Sequence, residues 1–325
     1  MVHAIRIHEH GGPEVLRWEE VSVREPGPGE VRIRHTAIGL NYIDTYHRSG
    51  LYKVPQLPAI IGSEAAGVVE AVGPEVTTLA VGDRVGYAPS PLGAYAEARV
   101  MPAERLIPLP SWIEDRQAAG MLLQGMTAQF LLRTTYAVQP GDTILVQAAA
   151  GGVGLILCQW ASHLGATVIG TVSTDEKAEL ARAHGCHHPI VYTRENFVER
   201  VHDITDGQGV PVVYDGVGKT TFMGGLDCLR PRGFMVLFGA ASGPVPPLDL
   251  QLLAAKGSLY VTRPTLFTHV ARRDDLMTSA ADLFDAVHAG GVRIEVRQTF
   301  PLREAAAAHR ALEARQTTGS TVLLP

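Results

Sequence analysis

The sequence predicts an α/β protein in which a doubly wound parallel sheet is joined to a second, β-rich domain. Three observations indicate this fold: short apolar runs separated by glycine and proline in the first 110 residues, alternating strand and helix patterns in the middle of the chain, and a glycine-rich turn after the first strand of that series. Domains of roughly 150 residues are typical, so a chain of 325 residues corresponds to two.

The first 110 residues predict a small barrel-like β domain. Residues 31–34 alternate apolar and charged side chains, 65–73 form an almost wholly apolar strand, and another strand starts at 84–85 after a turn. Many short strands divided by Gly and Pro are typical of such barrels. The pattern changes at 111–114, Ser-Trp-Ile-Glu, whose spacing predicts a capping box at the start of a helix through 117–119.

The middle of the chain alternates between strand and helix. After a helical pattern at 127–136, strands are predicted at 143–147, 167–172, 189–192, 210–214, 234–239 and 259–262, with helices at 153–164, 175–184, 196–204 and 221–229. Right-handed crossovers between such strands produce a parallel sheet with helices on both faces.

After Pro264 the pattern changes again. Helices are predicted at 274–288 and 302–314, and strands at 292–296 and 320–324. Because two strands are too few for a separate sheet, this segment is expected to return to the first domain.

A glycine-rich turn lies between strand 143–147 and helix 153–164. Its sequence is Ala148-Ala149-Ala150-Gly151-Gly152-Val153-Gly154, a variant of the dinucleotide-binding fingerprint. Small residues let the backbone approach a pyrophosphate, and the free N–H groups at the helix start bind its charge. The alternative, a tight turn without a ligand, is disfavoured by the strand–helix series around it. The candidate cofactor-binding residues here are Ala148, Gly151, Gly152, Val153 and Gly154.

The residues after strand 167–172 favour NADP over NAD. An NAD site usually carries a carboxylate here, for the ribose 2′-hydroxyl, whereas this strand is followed by Ser173 and then by Lys177. A 2′-phosphate favours hydroxyl groups and a cation. Asp175 and Glu176 complicate this reading, although carboxylates are also favoured in the first turn of a helix.

Composition and charge argue against several classes of protein. A net charge of −5 gives no broad positive field for nucleic acid. Three cysteines without a CxxC pair argue against a disulfide framework and suit a reducing cytoplasm. The N-terminus has no apolar signal region and no run approaches 18 uncharged apolar residues, so neither secretion nor a membrane span is expected.

One cluster, His184, Cys186, His187 and His188, contains metal-ligand residue types. Four such residues within five positions cannot easily surround one ion, so a helix end capped by Gly185 is the favoured interpretation. No metal is therefore expected.

Five stretches together resemble the zinc-independent NADPH:quinone oxidoreductases (zeta-crystallin-like) of the medium-chain dehydrogenase/reductase superfamily. They are 10–16, 41–46, 62–67, 148–154 and 260–264, and bacterial members look most similar through 48–52 and Gly319-Ser320. The resemblance covers nearly the whole chain. It implies a GroES-like catalytic domain formed by residues 1–125 and 266–325, with a Rossmann dinucleotide-binding domain at 126–265.

The resemblance also implies a site without zinc. Zinc-dependent relatives carry a cysteine and a histidine as ligands where this chain has Asn41 and Ser63, and tetrahedral zinc needs such ligands. Glu64 is then expected to be structural and paired with an arginine.

The candidate catalytic residues implied by the resemblance are Asn41, Asp44, Tyr46 and Tyr52. Asn41 is expected to hydrogen-bond the nicotinamide ribose or the acceptor, Asp44 to orient a neighbour, and the two tyrosines to offer stacking surfaces and phenol protons. Ordinary loop packing for the tyrosines and a helix N-cap for Asn41 remain alternatives.

Further cofactor contacts follow from the same resemblance. Thr127 is expected at the nicotinamide phosphate and Arg263 at the nicotinamide end. The expected 2′-phosphate pocket comprises Ser173, Lys177, Tyr192 and Arg315, and the remaining cofactor-binding candidates are Asn41, Ile43, Phe238, Gly239, Ser242 and Val261.

The expected reaction is NADPH-dependent reduction of a quinone by hydride transfer, for which the cofactor carries the chemistry and an electrophilic acceptor needs little activation. One alternative is reduction of the activated double bond of an alkenal or enone. Another is a nucleic-acid-binding or structural role, which the balanced charge of 126–265 disfavours. Because strand 259–262 would leave an exposed sheet edge, a homodimer is expected.

Overall fold

The computed structural model describes all 325 residues, and they divide into two compact units. The β-rich unit comprises Met1–Gln124, Val270–Ala280 and Ile294–Pro325, and the doubly wound unit comprises Gly125–His269 and Ala281–Arg293. Residues 281–293 thus group with the doubly wound unit, although they lie in the segment predicted to return to the first domain. The predicted domain boundaries stay a prediction.

The strands and helices are short and numerous, as the spacing of glycine and proline predicts. The strands are β1 (Val2–Ile7), β2 (Arg17–Val21), β3 (Glu30–Leu40), β4 (Ala59–Ile60), β5 (Ala65–Val72), β6 (Arg84–Tyr87), β7 (Ala98–Pro102), β8 (Ile107–Pro108), β9 (Thr143–Val146), β10 (Thr167–Val172), β11 (His188–Val191), β12 (Val210–Asp215), β13 (Leu229–Leu237), β14 (Tyr260–Thr262), β15 (Val296–Pro301) and β16 (Ser320–Leu324). The helices are α1 (Tyr42–Ser49), α2 (Asp115–Ala119), α3 (Leu122–Phe130), α4 (Gly152–His163), α5 (Asp175–Ala183), α6 (Phe197–Ile204), α7 (Phe222–Asp227), α8 (Gln251–Ala255), α9 (Leu266–His269), α10 (Arg273–His288) and α11 (Ala305–Glu313).

The β-rich unit is built on a seven-stranded sheet in the order β15-β16-β3-β5-β6-β8, with β7 also paired to β3, and on a smaller sheet, β2-β1-β4. The C-terminal strand β16 is antiparallel to β3, with Leu323 opposite Ile38. The C-terminal strand β16 therefore belongs to the sheet of the β-rich unit. Residues from both ends of the chain, including Ile33, Tyr95 and Leu302, share one apolar core.

The doubly wound unit has a six-stranded sheet in the order β11-β10-β9-β12-β13-β14, in which every pairing is parallel. This confirms the predicted fold class. The first strand, β9, lies in the middle, with β10 on one side and β12 on the other. The chain therefore changes direction across the sheet at β9, and ligands of such sheets bind at the carboxyl ends of the strands beside this point.

Two predicted elements are wrong. No capping box forms at 111–114, because Ile113 N–H closes a turn onto the Pro110 carbonyl and α2 starts at Asp115 after Glu114. The strand predicted at 292–296 is β15 at Val296–Pro301, because Val292 and Arg293 are held by hydrogen bonds to Ala286 and Gln159.

The helix predicted at 127–136 begins earlier, at Leu122, and ends in a π-helical turn over Leu131–Thr135. The chain contains no helix that is both long and apolar enough to cross a membrane.

Candidate active site

Helix α1 directly follows the long strand β3, and Asn41 is the N-cap residue between them. The Asn41 backbone N–H donates to Asp44 Oδ2 (2.9 Å), and the two residues form a capping box. The helix ends at Gly50, whose φ of 83° is left-handed and therefore suits glycine. Asn41 is therefore the N-cap of α1. This cap fixes the backbone of the segment that carries the catalytic candidates.

The side chain of Asn41 is held in one orientation by two buried neighbours. Its Nδ2 donates to Glu64 Oε2 (2.6 Å), and its Oδ1 accepts from Gln124 Nε2 (3.2 Å). Gln124 lies beside Ser320, whose hydroxyl is shared between the Gly120 carbonyl (2.6 Å) and Gln124 Oε1 (2.9 Å). One Nδ2 hydrogen of Asn41 remains for a ligand after these contacts.

Glu64 is fully buried, and its expected pairing with an arginine is wrong. Its two oxygens accept from the Asn41 amide and from the backbone N–H of Leu123 (2.7 Å). Burial raises the pKa of Glu64 to about 8, while these two donors act in the opposite direction. Gly39 makes room for the carboxylate, because a Cβ there would lie 2.4 Å from Glu64 Oε2. Glu64 therefore positions Asn41.

Asp44 is also fully buried and is the centre of a second set of hydrogen bonds. Besides the Asn41 N–H, it accepts from the hydroxyl groups of Tyr95 (3.0 Å) and Ser63 (3.2 Å). Burial raises the pKa of Asp44 to about 7, and the three donors partly offset that effect. Its contacts orient neighbours, which is what the role predicted for Asp44 requires.

A chain of side chains extends from Asp44 through His309 to the surface. Tyr95 Oη lies 3.0 Å from His309 Nε2, and Arg48 Nη1 lies 3.0 Å from His309 Nδ1. Because arginine only donates, His309 Nδ1 accepts, so its Nε2–H donates to Tyr95 and Tyr95 donates to Asp44. Burial lowers the pKa of His309 to about 3, which keeps the ring neutral. Arg48 in turn forms a two-bond ion pair with Glu313 (2.7 and 2.9 Å).

The predicted acceptor-binding tyrosines lie together at α1. The rings of Tyr46 and Tyr52 meet edge to face, with centroids 5.1 Å apart, and Tyr42 packs 5.8 Å from Tyr46. The Tyr52 N–H donates to the Tyr46 carbonyl (3.1 Å), which fixes the loop after the helix against it. Ile43, on the same helix, is half-buried.

The glycine-rich turn of the doubly wound unit has the geometry that a pyrophosphate requires. Gly151 is the N-cap of α4, no side chain caps its N–H groups, and no acidic residue lies in the first turn. Gly154 is obligatory, because a Cβ there would lie 2.3 Å from the Ala148 carbonyl oxygen. An anion therefore fits the free N–H groups at this helix start.

Gln147, directly before this turn, was not predicted as a site residue. Thr171 donates to its Oε1 (2.6 Å), whereas its buried Nε2 has no partner within the protein. The only sequence signal was a polar residue at the end of an apolar strand.

Two loops lie side by side at the carboxyl ends of β10 and β11. Tyr192 N–H donates to the Val172 carbonyl, and Thr193 Oγ1 donates to the Ser173 carbonyl (both 3.1 Å). Lys177 lies in the first turn of α5, where Thr174 caps its N–H. These loops bring Ser173 and Tyr192 of the predicted 2′-phosphate pocket onto adjacent strand ends. Arg315 follows α11 in the β-rich unit.

Most of the other cofactor-binding candidates lie within or just after β13 and β14. Gly239 approaches Gly216 closely, since a Cβ on Gly239 would lie 2.3 Å from the Gly216 oxygen. Ser242 Oγ donates to the Val217 carbonyl (2.9 Å) and so joins the two loops. The remaining candidates are Phe238 just after β13, Val261 within β14, Arg263 just after β14, and Thr127 within α3.

Two of the three histidines near residue 186 form hydrogen bonds with the backbone. His184 Nδ1 lies 2.8 Å from the Leu180 carbonyl, and His187 Nδ1 accepts from the Val168 N–H (3.0 Å). The chain holds no group of three or more His, Cys, Asp or Glu side chains arranged for a metal ion.

Comparison with known proteins gives matches over the whole chain. Residues 27–111 match the alcohol dehydrogenase GroES-like domain, and residues 152–282 match the zinc-binding dehydrogenase family. The chain is 56% identical to a quinone oxidoreductase of Pseudomonas aeruginosa, over 100% of both proteins. It is 53% identical to a 2-haloacrylate reductase of a Burkholderia species, over 100% of this chain and 99% of that protein.

Among solved structures, the Escherichia coli quinone oxidoreductase complexed with NADPH matches with a TM-score of 0.97 at 47% identity. That match covers 99% of this chain and 100% of the other.

Proposed function

The chain belongs to the quinone oxidoreductase family of the medium-chain dehydrogenase/reductase superfamily, and we propose that it reduces quinones by hydride transfer from NADPH. The observation that carries the proposal is the uncapped start of α4 at Gly151, with Gly154 allowing close approach of the backbone. A dinucleotide pyrophosphate is the ligand that this geometry suits.

NADPH supplies the hydride, from C4 of its nicotinamide. The N–H groups at 152–154 bind the pyrophosphate, while the Gly151 N–H donates to the Ala148 carbonyl (2.9 Å). Ser173, Lys177 and Tyr192 contact the 2′-phosphate, and Arg315 adds a further cation. The other cofactor contacts are Ile43, Thr127, Ala148, Phe238, Gly239, Ser242, Val261 and Arg263.

On the acceptor side, Tyr46 and Tyr52 offer flat surfaces for a planar ring. Asn41 donates its remaining Nδ2 hydrogen to the nicotinamide ribose or to the acceptor, and Glu64 and Gln124 fix its direction. Asp44 holds the backbone of Asn41 and takes no part in proton transfer. The reduced oxygen takes its proton from water, which is sufficient because a hydroquinone anion is only weakly basic.

Zinc is not part of this proposal. A neutral amide at Asn41 and a hydroxyl at Ser63 are poor ligands for tetrahedral zinc. The Asn41 side chain is already directed by Glu64 and Gln124. An electrophilic quinone accepts hydride without a Lewis acid.

A second candidate is reduction of an activated carbon–carbon double bond. The relative that is 53% identical and carries the name 2-haloacrylate reductase favours it. Both reactions use the same hydride donor, so the acceptor alone separates them.

The test is NADPH oxidation, beside NADH, with 1,4-benzoquinone, 9,10-phenanthrenequinone, 2-chloroacrylate and 2-hexenal in parallel. We expect the highest kcat/KM for a quinone with NADPH. Faster turnover of chloroacrylate or hexenal than of either quinone would replace the proposal by double-bond reduction. Tight NADPH binding without turnover of any acceptor would refute both.

We further propose that the chain forms a homodimer through the edge strand β14, where Tyr260 and Val261 are 52% and 37% exposed. Light scattering at twice the monomer mass is the expected result. The three cysteines are buried and unpaired, which supports a reducing cytoplasmic location. The domains proposed on the family pattern are residues 1–125 with 266–325, and 126–265.

A further inference from the structure

An ion pair that the sequence did not predict lies beside the proposed 2′-phosphate pocket. Arg194 Nη1 donates to Asp175 Oδ2 (2.6 Å), and Arg194 Nη2 donates to Asp175 Oδ1 (2.5 Å). This two-bond arrangement joins the first residue of α5 to the loop after β11. The two backbone contacts of Tyr192 and Thr193 described above hold the same loops together at the positions just before it.

Asp175 presents an electrostatic problem for an NADPH site. It lies two residues after Ser173 and two before Lys177, both proposed to contact the 2′-phosphate. A free carboxylate at this position repels a phosphate and can accept a hydrogen bond from the ribose 2′-hydroxyl of NADH. Arg194 lowers the pKa of Asp175, so the carboxylate stays ionised and only its pairing removes the effect of its charge.

We propose that Arg194 is a specificity-determining residue for the cofactor, acting through Asp175. By engaging both carboxylate oxygens, Arg194 neutralises the charge beside the phosphate pocket and occupies the group that would otherwise favour NADH. This inference rests on the proposed function, because it assumes that Ser173 and Lys177 bind a 2′-phosphate.

Glu176 does not need the same compensation. Its carboxylate is directed to the start of its own helix, where a backbone N–H and Thr174 lower its pKa. The local charge near Ser173 is therefore set by Asp175, Arg194 and Lys177.

The experiment compares the full-length wild type with Arg194→Gln, Asp175→Asn and the double variant. The Kd of NADPH and of NADH is measured by fluorescence titration, and kcat/KM for each cofactor at a fixed quinone concentration. Arg200→Gln is the matched control, since Arg200, on α6, makes exposed ion pairs with Glu195, which precedes that helix, and with Asp203. It removes the same charge from a neighbouring helix.

We expect Arg194→Gln to weaken NADPH binding about threefold, because both side chains of the pair are more than half exposed, and to leave NADH binding unchanged or tighter. The double variant is expected to recover most of the NADPH affinity, and Arg200→Gln to behave as the wild type. Equal losses in Arg194→Gln and Arg200→Gln, or no recovery in the double variant, would overturn the inference.

The two proposals fail in different ways. If the wild type binds no NADPH, the proposed function fails first. If it binds NADPH and Arg194→Gln retains the same preference, only the role of Arg194 is refuted.

Discussion

The two units build their proposed sites by opposite means. In the doubly wound unit, the turn from Ala148 to Gly154 carries small residues, and no side chain caps the N–H groups at the start of α4. In the β-rich unit, Asn41 is fixed by buried side chains that come from distant parts of the sequence. The first design depends on space and the second on complete hydrogen bonding, so different substitutions damage them.

The largest effect on cofactor binding is expected from a substitution at Gly154, where the turn has no room for a side chain. Gly154→Val places a side chain against the Ala148 carbonyl, which lies 2.3 Å from the position of a Cβ. Overpacking of about 1–3 kcal/mol distorts the turn, and NADPH binding is expected to weaken up to about 100-fold. Titration of NADPH fluorescence measures the loss. Gly151→Ala is the control, since its Cβ would lie 3.2 Å from the same oxygen, and an equal loss there would contradict the argument.

A smaller effect in the same unit is expected from Lys177, a side chain proposed to contact the cofactor. Lys177→Ala removes a cation from the proposed 2′-phosphate pocket, and a charge-assisted hydrogen bond is worth about 1.5–3 kcal/mol. We expect the Kd of NADPH to rise about tenfold or more, with NADH unchanged. Parallel titrations with the two cofactors measure this, and an equal loss for NADH would show that Lys177 does not read the phosphate.

In the β-rich unit, two buried tyrosine–histidine pairs can be compared directly. Tyr95 and Tyr87 are both fully buried, and each hydroxyl lies 3.0 Å from a histidine Nε2, that of His309 or His35. Only Tyr95 also contacts Asp44. Each Tyr→Phe change leaves a buried histidine short of a partner and destabilises by about 1–3 kcal/mol.

Quinone kcat/KM is expected to fall several-fold in Tyr95→Phe alone, because Asp44 and the start of α1 lose a fixed contact. Tm and steady-state kinetics on both variants separate the two effects. Equal kinetics in Tyr95→Phe and Tyr87→Phe would mean that the chain from Asp44 to Arg48 is merely structural.

The smallest expected effect is a pH dependence of stability. The pKa of Glu64 is raised from 4.5 to about 8, so the folded state binds a proton more tightly than the unfolded chain. Its contribution to stability is fully present below pH 4.5 and is lost as the pH rises through about 8. Tm is therefore expected to fall between about pH 4.5 and pH 8, and to fall less in Glu64→Gln.

Glu70→Gln is the matched control, since Glu70 forms its ion pairs with Arg32 and Arg34 on the outside of the sheet. A pH dependence of Tm that is the same in wild type and Glu64→Gln would refute the assignment.

The doubly wound sheet and its glycine-rich turn could be predicted from the sequence, because the patterns that specify them lie within short stretches of the chain. Strand 167–172 was predicted with its observed bounds, since buried parallel strands are continuous apolar runs. The glycines of the turn at 151–154 are needed by contacts within a few residues. The parallel pairing of the sheet also followed, because right-handed crossovers join its successive strands.

The hydrogen bonds around Asn41 and Asp44 could not be predicted, because they join residues that are far apart in the sequence. Glu64 meets Leu123, and Tyr95 meets His309, through strand pairings that no short pattern contains. The expected arginine partner of Glu64 was wrong for this reason. Arg194 was missed because its only signal was a basic residue two positions after Tyr192.

The strand predicted at 292–296 failed for a different reason. Apolar and polar residues alternate on both sides of Val296. The bonds from Val292 N–H to the Ala286 carbonyl and from Arg293 N–H to Gln159 keep 292–293 out of the strand. Alternation of apolar and polar residues identifies a strand but does not fix where the strand begins and ends.

The position of β16 has a consequence for biosynthesis. This strand follows every strand of the doubly wound sheet in the sequence, yet it lies between β15 and β3, with Val322 and Leu323 fully buried. The sheet to which β3 belongs therefore remains open at β3 until residues 320–324 have been made. All six strands of the doubly wound sheet have been made by then, so the unit whose strands come first in the sequence is the last to complete its fold.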